Sequence, residues 1–299
     1  MQKIKIVGCG GSGTNILNSL IEREGFKDER VEFYVINSDE ASLKRAKAKN
    51  KISIGYGFGC GGNTTGAKQY LEQSNTEIKN ILKDTDLLIL TTGMGGGTGT
   101  AAVCEIAKMA KEQNIPTIAV ISIPFTMEGL PRTTTAENGI KELKEYTSAI
   151  IVFKNDNIFN YIYENAYFDM IFGFIDGIII GIINSITTTI GNSDVTSINI
   201  NDLKYFIKTS NQVILKKGTG LTVAQAFNNA VKNNICESFD MSKTNKILVT
   251  LVGNNGINIS DMKQLDKEIK NSFPNIKLCK IQDMQKDTLY IKIILILFC

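Results

Sequence analysis

The sequence predicts an α/β protein built on a Rossmann-like parallel sheet. Apolar runs typical of buried strands alternate with segments whose apolar residues recur at helical spacing. A glycine cluster directly follows three of the early strand patterns, at residues 8–13, 55–62 and 93–99. Because the carboxyl ends of parallel strands lie at one edge of a sheet, we expect the three glycine loops to meet there, where open α/β folds bind ligands.

The composition is that of a globular protein with room for one large or two ordinary domains. The 299 residues are 43% hydrophobic and 21% charged, with a net charge of +3. This weak charge, without an arginine-rich block, gives no indication of nucleic-acid binding. Residues 1–7 lead directly into a strand pattern and show no signal-peptide pattern, so we expect a cytoplasmic protein.

The chain contains no histidine, and its six cysteines form no C-x-x-C pair. A zinc site, a catalytic Ser–His or Cys–His pair and a disulfide scaffold are therefore poorly supported, and no metal ligand set is predicted. Cys9 and Cys60 lie in two glycine loops beside helix starts, which lower thiol pKa values. They are either redox-sensitive groups or small residues that fill tight loops.

Residues 91–100, with the sequence TTGMGGGTGT, predict a phosphate-binding loop. They lie between the apolar strand pattern of residues 87–90 and an amphipathic helix pattern. The apolar face of that helix carries Val103, Ile106, Ala107 and Ala110. The glycines allow several N–H groups to converge on one anion beside the positive end of the helix dipole, and Thr98 and Thr100 add hydroxyl groups. The alternative, a flexible glycine linker, rarely lies between a buried strand and an amphipathic helix.

The first glycine loop matches G-x-G-x-x-G at Gly8, Gly10 and Gly13, and Asp39 closes the next strand pattern. This combination is typical of nicotinamide- or flavin-dependent dehydrogenases, which are the first alternative. The motif alone is weak, because a tight turn into a helix needs those glycines whatever it binds. The helix that follows is expected to bury Ile16, Leu17, Leu20 and Ile21.

The glycine loop of residues 55–63 follows a strand pattern and precedes a predicted helix. That helix carries Tyr70, Leu71, Ile78 and Leu82. Three glycine loops exceed what one pyrophosphate requires, so their number favours a nucleoside triphosphate. The sequence contains no G-K-[ST] motif. The phosphates would therefore bind backbone amides and hydroxyl groups rather than a Walker A lysine.

These motifs, in this order, resemble the FtsZ/tubulin superfamily of polymerising GTPases. The resemblance covers residues 1–220, and residues 221–299 share only the strand–helix pattern. The run GGGTGT at residues 95–100 is close to diagnostic. The other matching segments are residues 8–15, 37–39, 59–63, 124–129 with Arg132, and 155–156.

The resemblance implies GTP as the ligand, accompanied by Mg²⁺, and a divergent plasmid or phage branch of the TubZ type is compatible with it. It places sugar contacts at Glu128 and Arg132 and a base contact at Asn155. The residues implied to hold the phosphates are Gly10, Gly11, Ser12, Asn15, Gly61, Gly62, Asn63, Gly95, Gly96, Gly97, Thr98 and Gly99. It also implies self-association into filaments, and it leaves the identity of any adaptor protein open.

Residues 167–190 are strongly apolar, and Gly173, Gly177 and Gly181 are spaced by four. A membrane helix with small-x-x-x-small packing is one interpretation. Asp176 argues against it, because a charge at the bilayer centre costs about 3 kcal/mol. The uninterrupted apolar stretch is also shorter than about 20 residues. The resemblance implies instead a buried helix between two domains, with glycines that allow close packing.

The same apolar helix carries two residues that match the family's base site. Phe172 matches the position that stacks on guanine, and Asp176 replaces the usual asparagine. A carboxylate can accept both the N1–H and the 2-amino hydrogens of guanine, a donor pair that adenine lacks. If Phe172 were only a core residue, Asp176 would be buried without a partner, which is costly.

Residues 197–202, with the sequence SININD, align with the family loop that enters the nucleotide site of the next subunit. The family pattern is N-x-D-x-x-D, so Ser197 and Asn199 replace its first two defined residues and Asp202 remains. The resemblance implies catalytic roles for Asp202 and Asn199, and the replacements leave the hydrolysis rate open. Alternatively, Asp202 only caps a helix over residues 203–208.

The expected domains are a GTP-binding domain at residues 1–166, a central helix at 167–190 and a C-terminal α/β domain at 191–299. The last domain is expected to contain helices at 222–235 and around Met262, Leu265 and Ile269, with strands at 247–252, 276–281 and 288–298.

The chain ends within an apolar strand pattern. Division proteins of the family usually carry a linker and a partner-binding peptide at that point. We expect a chain that lacks those partners, belongs to a plasmid or phage branch, or is truncated.

The sequence thus predicts a GTPase that polymerises head to tail. Hydrolysis is expected at the subunit junction, because no histidine or obvious general base lies near the phosphate loops. The role, in cell division or in positioning plasmid or phage DNA, stays open. The alternatives are a GTP-binding filament or regulatory subunit with little hydrolysis, and an NAD(P)- or flavin-dependent oxidoreductase.

Overall fold

A computed structural model describes residues 2–24, 28–160, 162, 167–190, 198–208, 210, 213–233, 236, 240–253, 258–285 and 288–298. The chain forms two compact units, Met1–Ile183 and Asn184–Cys299. The boundary between them falls inside a long helix, Phe168–Thr189. Each unit is organised around its own sheet.

The described residues of the first unit form a six-stranded parallel sheet. Its strands are β1 (Ile4–Cys9), β2 (Val31–Asn37), β3 (Asn50–Ser53), β4 (Leu87–Gly93), β5 (Thr117–Ile123) and β6 (Ala149–Lys154). Their spatial order is β3-β2-β1-β4-β5-β6. The apolar runs of β1, β4 and β5 are buried almost throughout, as expected for parallel strands covered on both faces. The predicted Rossmann-like sheet is confirmed.

Helices connect these strands and cover the sheet. They are α1 (Gly10–Glu24), α2 (Glu40–Arg45), α3 (Thr64–Gln73), α4 (Asn75–Leu82), α5 (Gly97–Glu112) and α6 (Leu130–Tyr146). A further long helix, α7 (Phe168–Thr189), follows β6. Two short 3-10 turns follow β5 and β6, at Thr126–Glu128 and Asn155–Asn160. Helix α5 buries its whole predicted apolar face, whereas the predicted core residue Ile21 of α1 is only half-buried.

The single helix expected to carry Tyr70 and Leu82 is wrong, because α3 and α4 are separate helices that meet at Ser74. Ser74 ends α3 and begins α4, with a ψ of 10°. Its N–H still donates to the carbonyls of Tyr70 and Leu71, at 3.2 and 3.1 Å. The apolar residues on both sides of this turn stay buried, so the helical periodicity continues across the break and conceals it.

Helix α7 lies almost where the apolar pattern predicts it. Its segment Met170–Thr189 is long and apolar enough to cross a membrane by length and composition, but about half of this segment is buried inside the protein. A core helix meets the same criteria, so this helix does not indicate a membrane protein. A Cβ at Gly173 or Gly181 would meet no described atom within 4 Å, so the described residues give no support for the predicted close packing at these two glycines.

The second unit begins at the end of α7 and contains a smaller mixed sheet. Its elements are α8 (Ile200–Lys208), β7 (Val213–Gly220), α9 (Val223–Lys232), β8 (Lys246–Gly253), α10 (Ile259–Ser272), β9 (Leu278–Gln285) and β10 (Ile291–Phe298). In the described residues the sheet order is β7-β10-β8-β9, with only β8 and β9 parallel. Leu265 and Ile269 of α10 are buried as expected, but Met262 is exposed.

Candidate functional site

The three glycine loops meet at the carboxyl edge of the parallel sheet. A Cβ at Gly10, in the first loop, would lie 2.8 Å from the Gly99 nitrogen in the third. A Cβ at Gly97 would lie 2.9 Å from the Asn63 nitrogen in the second. Only residues without a Cβ permit such close approaches between backbones. The structure therefore brings together the three loops that the sequence predicted to converge.

Ser38, at the end of β2, joins two of these loops through its hydroxyl group. The Ser38 and Thr98 hydroxyl oxygens lie 2.6 Å apart, and the Cys60 thiol donates to the Ser38 oxygen at 3.3 Å. The Gly59 N–H also donates to the Ser38 carbonyl at 2.9 Å. Sequence analysis predicted no role for Ser38 beyond its place in the matching segment 37–39. Its function in the structure is to hold the second and third loops against each other.

Helix α5 presents its N-terminus to this convergence point. Gly96 is its N-cap residue, and in the described structure no side chain caps the helix. The first N–H groups of an α-helix have no intrahelical partner, and the positive end of the helix dipole lies beside them. Such a terminus is suited to binding an anion.

Two details change the prediction for the phosphate-binding loop at residues 91–100. The Gly95 N–H donates to the Thr100 hydroxyl oxygen at 2.9 Å, and Thr100 is buried. Thr100 therefore stabilises the turn as an acceptor, and its burial does not favour the predicted contact of its hydroxyl group with a ligand. Gly95 has a φ of +93°, which its position in the turn requires. Thr98 is half-buried beside the helix start.

The residues of the other two loops lie on the exposed side of the convergence point. Gly61 and Gly62 are exposed and have positive φ values of 51° and 82°. The Asn63 side chain accepts a hydrogen bond from the Gly66 N–H at 3.0 Å and caps α3. Gly11 and Asn15 of α1 are exposed. Ser12 is half-buried near the end of β4, and a Cβ at Gly93 would lie 2.8 Å from its hydroxyl oxygen.

Asp39, the acidic partner of the dehydrogenase alternative, is occupied by local contacts. Its carboxylate accepts hydrogen bonds from the Ala41 and Ser42 N–H groups at 3.1 and 3.3 Å and caps α2. The Ser42 hydroxyl donates to it at 2.5 Å. This hydroxyl bond, with the backbone bonds, holds the Asp39 pKa below its usual value. The carboxylate thus serves as a helix cap, which is not the ribose contact of a dehydrogenase.

Glu128 and Arg132 lie next to the third glycine loop. They form an ion pair with a 2.5 Å separation between the Arg132 guanidinium and the Glu128 carboxylate. The second Glu128 oxygen accepts from the Phe125 N–H at 2.8 Å. A Cβ at Gly95 would lie 2.7 Å from the Arg132 carbonyl oxygen, which places the start of α6 against the loop.

The candidate base site contains Asn155 and Phe172. Asn155 follows β6 and is buried, and within the described residues its side-chain oxygen has no hydrogen-bond partner. Phe172, on α7, is 46% exposed and lies edge-on to the buried Phe125 ring, with 5.9 Å between ring centroids. Phe125 also contacts Phe159, so an aromatic cluster lies beside the carboxyl end of β5.

Asp176, one turn after Phe172, does not support the burial argument made from the sequence. It is only half-buried, and it is not without a partner. The expectation that a purely structural Phe172 would leave Asp176 buried and unpaired is therefore wrong. The prediction that Asp176 contacts the base still rests on the chemistry of a carboxylate and on the resemblance to the family position.

Asp202 and Asn199 lie at the start of α8 in the second unit. Asn199, rather than Asp202, is the capping residue, because its side-chain oxygen accepts from the Asn201 and Asp202 N–H groups at 2.9 and 3.0 Å. Asp202 accepts in return from the Asn199 N–H at 3.1 Å, which completes a reciprocal cap. The helix thus begins at Ile200, earlier than predicted. Ser197 lies outside the described residues.

The second carboxylate oxygen of Asp202 forms an ion pair with Lys280 of β9. The Asp202 side chain is 15% exposed, and that of Lys280 is 42% exposed. Sequence reasoning missed Lys280, because a lysine on a strand far along the chain carries no local signal of such a contact.

Of the two interpretations of Cys9, the structure favours a small residue that fills a tight loop over a redox-sensitive group. Cys9 is completely buried, and burial raises the pKa of its thiol far above the usual range. The nearby Cys104 is also buried, and burial raises its pKa to about 12. Cys60 is half-buried at the surface of the loop. The fold therefore leaves Cys9 as a small residue that fills a tight space.

Known proteins resemble this chain in sequence. Residues 3–163 match the Tubulin/FtsZ family, GTPase domain. The cell division protein FtsZ of Haemophilus influenzae is 29% identical over 274 residues, which cover 83% of this chain and 65% of that protein. The mitochondrial division protein fszB of Dictyostelium discoideum is 31% identical, covering 92% of this chain and 77% of that protein. The chain belongs to the tubulin/FtsZ family of GTPases.

Solved structures show the same fold. An empty FtsZ dimer from M. jannaschii superposes with a TM-score of 0.88 at 25% identity, covering all of this chain and 88% of that chain. TubZ of Clostridium botulinum phage c-st superposes with a TM-score of 0.72 at 14% identity, covering 99% of this chain and 92% of that chain. The tubulin/FtsZ fold predicted from the motifs is confirmed.

Proposed function

We propose that this chain binds GTP at the carboxyl edge of its parallel sheet, assembles head to tail into filaments and hydrolyses GTP at the junction between subunits. One observation carries the proposal: three glycine loops meet at the N-terminus of α5, where no described side chain caps the helix. N–H groups without helical partners, the positive dipole end and the glycine geometry together favour a phosphate chain. Membership of a GTPase family supports GTP as the source of those phosphates.

Mg²⁺ would reach this site with the nucleotide. Among the described residues, no three His, Cys, Asp or Glu side chains cluster in a way that could hold a metal ion. We expect phosphate oxygens and water to supply most of the ligands of the ion, which is the usual arrangement of Mg²⁺ at nucleotides. When bound, the ion would neutralise part of the phosphate charge.

We assign Asn155, Phe172 and Asp176 to the guanine base, and Glu128 with Arg132 to the sugar. A buried polar oxygen without a partner, such as that of Asn155, is costly unless a ligand supplies a donor. The half-exposed Phe172 ring can stack on a base. The Asp176 carboxylate can accept two guanine hydrogens, which would distinguish GTP from ATP.

The hydrolysis step needs a group that the phosphate loops lack. These loops offer glycines, amides and hydroxyl groups, and the sequence contains no histidine. We therefore assign water positioning to Asp202 of the adjacent subunit, with Asn199 beside it. Two structures that share the fold, CetZ2 from Haloferax volcanii and TubZ from Bacillus thuringiensis, are protofilaments with a GTP analogue. They support assembly as the setting of this step.

We propose that the protein acts in division and is located in the cytoplasm. Relatives at 29% and 31% identity are named for cell division and mitochondrial division, whereas TubZ shares only the fold, at 14% identity. We retain residues 1–166, 167–190 and 191–299 as the GTP-binding domain, the central helix and the domain that carries residues 197–202, which we call the hydrolysis loop. Self-association is the partner interaction expected of this arrangement.

A GTP-binding filament protein with little hydrolysis is the second candidate. The observation in its favour is that both Asp202 carboxylate oxygens are occupied, one by the Asn199 N–H and the other by Lys280. Asn199 also replaces an acid of the family pattern.

The test combines electron microscopy, sedimentation and phosphate release, with GTP, with GDP and without nucleotide. We expect GTP-dependent filaments and phosphate release in proportion to polymer. Asp202→Ala should still bind GTP and polymerise but hydrolyse about 10²–10⁴-fold more slowly. Asp266→Ala, at an exposed ion pair on α10, is the matched control. Filaments that bind GTP without releasing phosphate would favour the second candidate, and failure to bind GTP would refute both.

A further inference from the structure

Gln282 of β9 connects three parts of the second unit through one buried side chain. Its side-chain oxygen accepts from the Ile198 N–H at 3.0 Å. Its side-chain nitrogen donates to the Thr189 carbonyl and the Thr250 hydroxyl, both at 2.9 Å. A backbone N–H can only donate and a carbonyl can only accept, so these partners determine the orientation of the amide group. Gln282 is fully buried.

The partners of Gln282 are themselves held in place. The Thr189 hydroxyl donates to the Ser185 carbonyl at 2.8 Å and lies 3.0 Å from the Thr250 hydroxyl. Thr189 ends α7, Thr250 lies within β8, and Ile198 directly precedes the Asn199 cap of α8. Gln282 therefore ties the start of the hydrolysis loop to the end of α7 and to the sheet.

Lys280 lies on β9, two residues before Gln282. Side chains at i and i+2 of a strand point to the same face, so Lys280 and Gln282 both face the segment Ile198–Asp202. Lys280 forms the ion pair with one Asp202 oxygen, and the Asn199 N–H donates to the other. The carboxylate is thereby held from two sides, by a strand and by its own helix cap.

We propose that β9 is the positioning strand of the hydrolysis loop: Gln282 fixes the backbone at Ile198, and Lys280 fixes the orientation of the Asp202 carboxylate. This inference rests on the proposed function, in which Asp202 acts on the nucleotide of the adjacent subunit. A group that is already oriented loses little freedom when the junction forms. Lys280 and Gln282 touch no nucleotide in this proposal and act only through Asp202 and its loop.

The first test measures the geometry without hydrolysis, by amide hydrogen exchange on the unassembled protein. Gln282→Met has a similar length but cannot accept from Ile198, so the Ile198 amide should exchange at least about tenfold faster. Lys280→Met should accelerate exchange at Asn199, whose N–H donates to Asp202. Lys270→Met, which removes the exposed ion pair to Asp266 in the same unit, is the control and should leave both amides unchanged. Unchanged exchange at Ile198 and Asn199 in the two β9 variants would overturn the proposal.

The second test measures hydrolysis per assembled subunit together with GTP affinity. Lys280→Met and Gln282→Met should lower the hydrolysis rate by about 10–100-fold while GTP affinity stays at the wild-type value. Lys280→Arg retains a cation for the ion pair and should recover most of the rate. In an Asp202→Ala background, Lys280→Met should cause no further loss, because residues that act through one group are not additive. If Lys280 had only a structural role, Lys280→Met would lower the hydrolysis rate in the Asp202→Ala background as well as in the wild-type background.

The outcomes separate the failure of this proposal from that of the proposed function. If Asp202→Ala is slow but both β9 variants hydrolyse GTP at the wild-type rate, the positioning role of β9 is wrong and the proposed function stands. If Asp202→Ala itself hydrolyses at the wild-type rate, the proposed function is wrong and the positioning role falls with it. Lys280 is half-exposed, so its variants keep the proposal testable even if Gln282→Met does not fold.

Discussion

Valine substitutions at Gly96 and Gly97 test the phosphate site. The two residues are neighbours, but the space available to a side chain differs between them. Gly96 has φ and ψ values of −90° and 167°, an extended conformation that a β-branched residue adopts readily. A Cβ there would meet no described atom within 4 Å. A Cβ at Gly97 would lie 2.9 Å from the Gly62 carbonyl carbon and the Asn63 nitrogen, which are backbone atoms that cannot rotate away.

The two variants should therefore fail in different ways. Gly97→Val must displace the second glycine loop, and such overpacking costs about 1–3 kcal/mol of stability. Each kcal/mol lowers the Tm by about 2–4 °C in a chain of this size class. Gly96→Val should keep its Tm within about 2 °C of the wild type, but it adds a branched side chain at the N-cap of α5, where we propose that the phosphates bind. Loss of one hydrogen bond to a charged phosphate, about 1.5–3 kcal/mol, weakens GTP binding about 10–100-fold.

The assay combines thermal unfolding without nucleotide and titration with a fluorescent GTP analogue. The expected result is a crossed pattern, in which Gly96→Val binds weakly at a normal Tm and Gly97→Val has a lowered Tm. Normal GTP affinity in Gly96→Val would place the phosphates away from the N-terminus of α5. A wild-type Tm in Gly97→Val would contradict the close approach of the second and third loops.

Three further predictions concern the base, the thiols and the central helix. GTP should bind at least about tenfold tighter than ATP, a difference of 1.4 kcal/mol, and Asp176→Ala should erode this preference; equal affinities in a competition titration would remove Asp176 from the base site. Alkylation at pH 8 followed by mass spectrometry should modify Cys60 well before Cys9, because burial raises the Cys9 pKa and keeps the thiol protonated; equal labelling of both thiols in the folded protein would contradict this burial. Gly173→Ala should raise the free energy of unfolding by about 0.5–1 kcal/mol, since it removes glycine flexibility from a helix at a position with free space; a lower Tm would show that Gly173 makes a close contact.

Much of the fold was predictable, because it rests on local patterns. Buried parallel strands appear as apolar runs, and α5 shows its core-facing residues at helical spacing. The glycine loops were also predictable from a local pattern. A tight turn between a strand and a helix requires backbone angles that few residues other than glycine adopt. Their meeting followed from the parallel arrangement of the strands.

Other features depend on contacts that spacing does not encode. The break at Ser74 keeps the apolar period, so the pattern gives one helix where the chain forms two. The role of Asn199 as the cap of α8 depends on the orientation of its side chain, whose oxygen accepts hydrogen bonds from two N–H groups. Lys280 and Gln282 reach the hydrolysis loop only because β9 pairs with β8, a long-range arrangement without a sequence signal. The pKa of Cys9 likewise reflects complete burial rather than its place in a glycine loop.

Mixing two defective variants tests the central claim, a GTPase site shared between subunits. Gly96→Val should bind GTP poorly but presents an intact Asp202, and Asp202→Ala binds GTP but lacks the group that acts on its neighbour. Phosphate release is measured for each variant alone and for their mixtures at constant total protein, with polymer quantified by sedimentation. The shared site predicts that the mixture releases phosphate faster than the sum of the separate variants. A mixture that co-sediments yet releases no more than that sum, or Asp202→Ala polymer that hydrolyses at the wild-type rate, would contradict it.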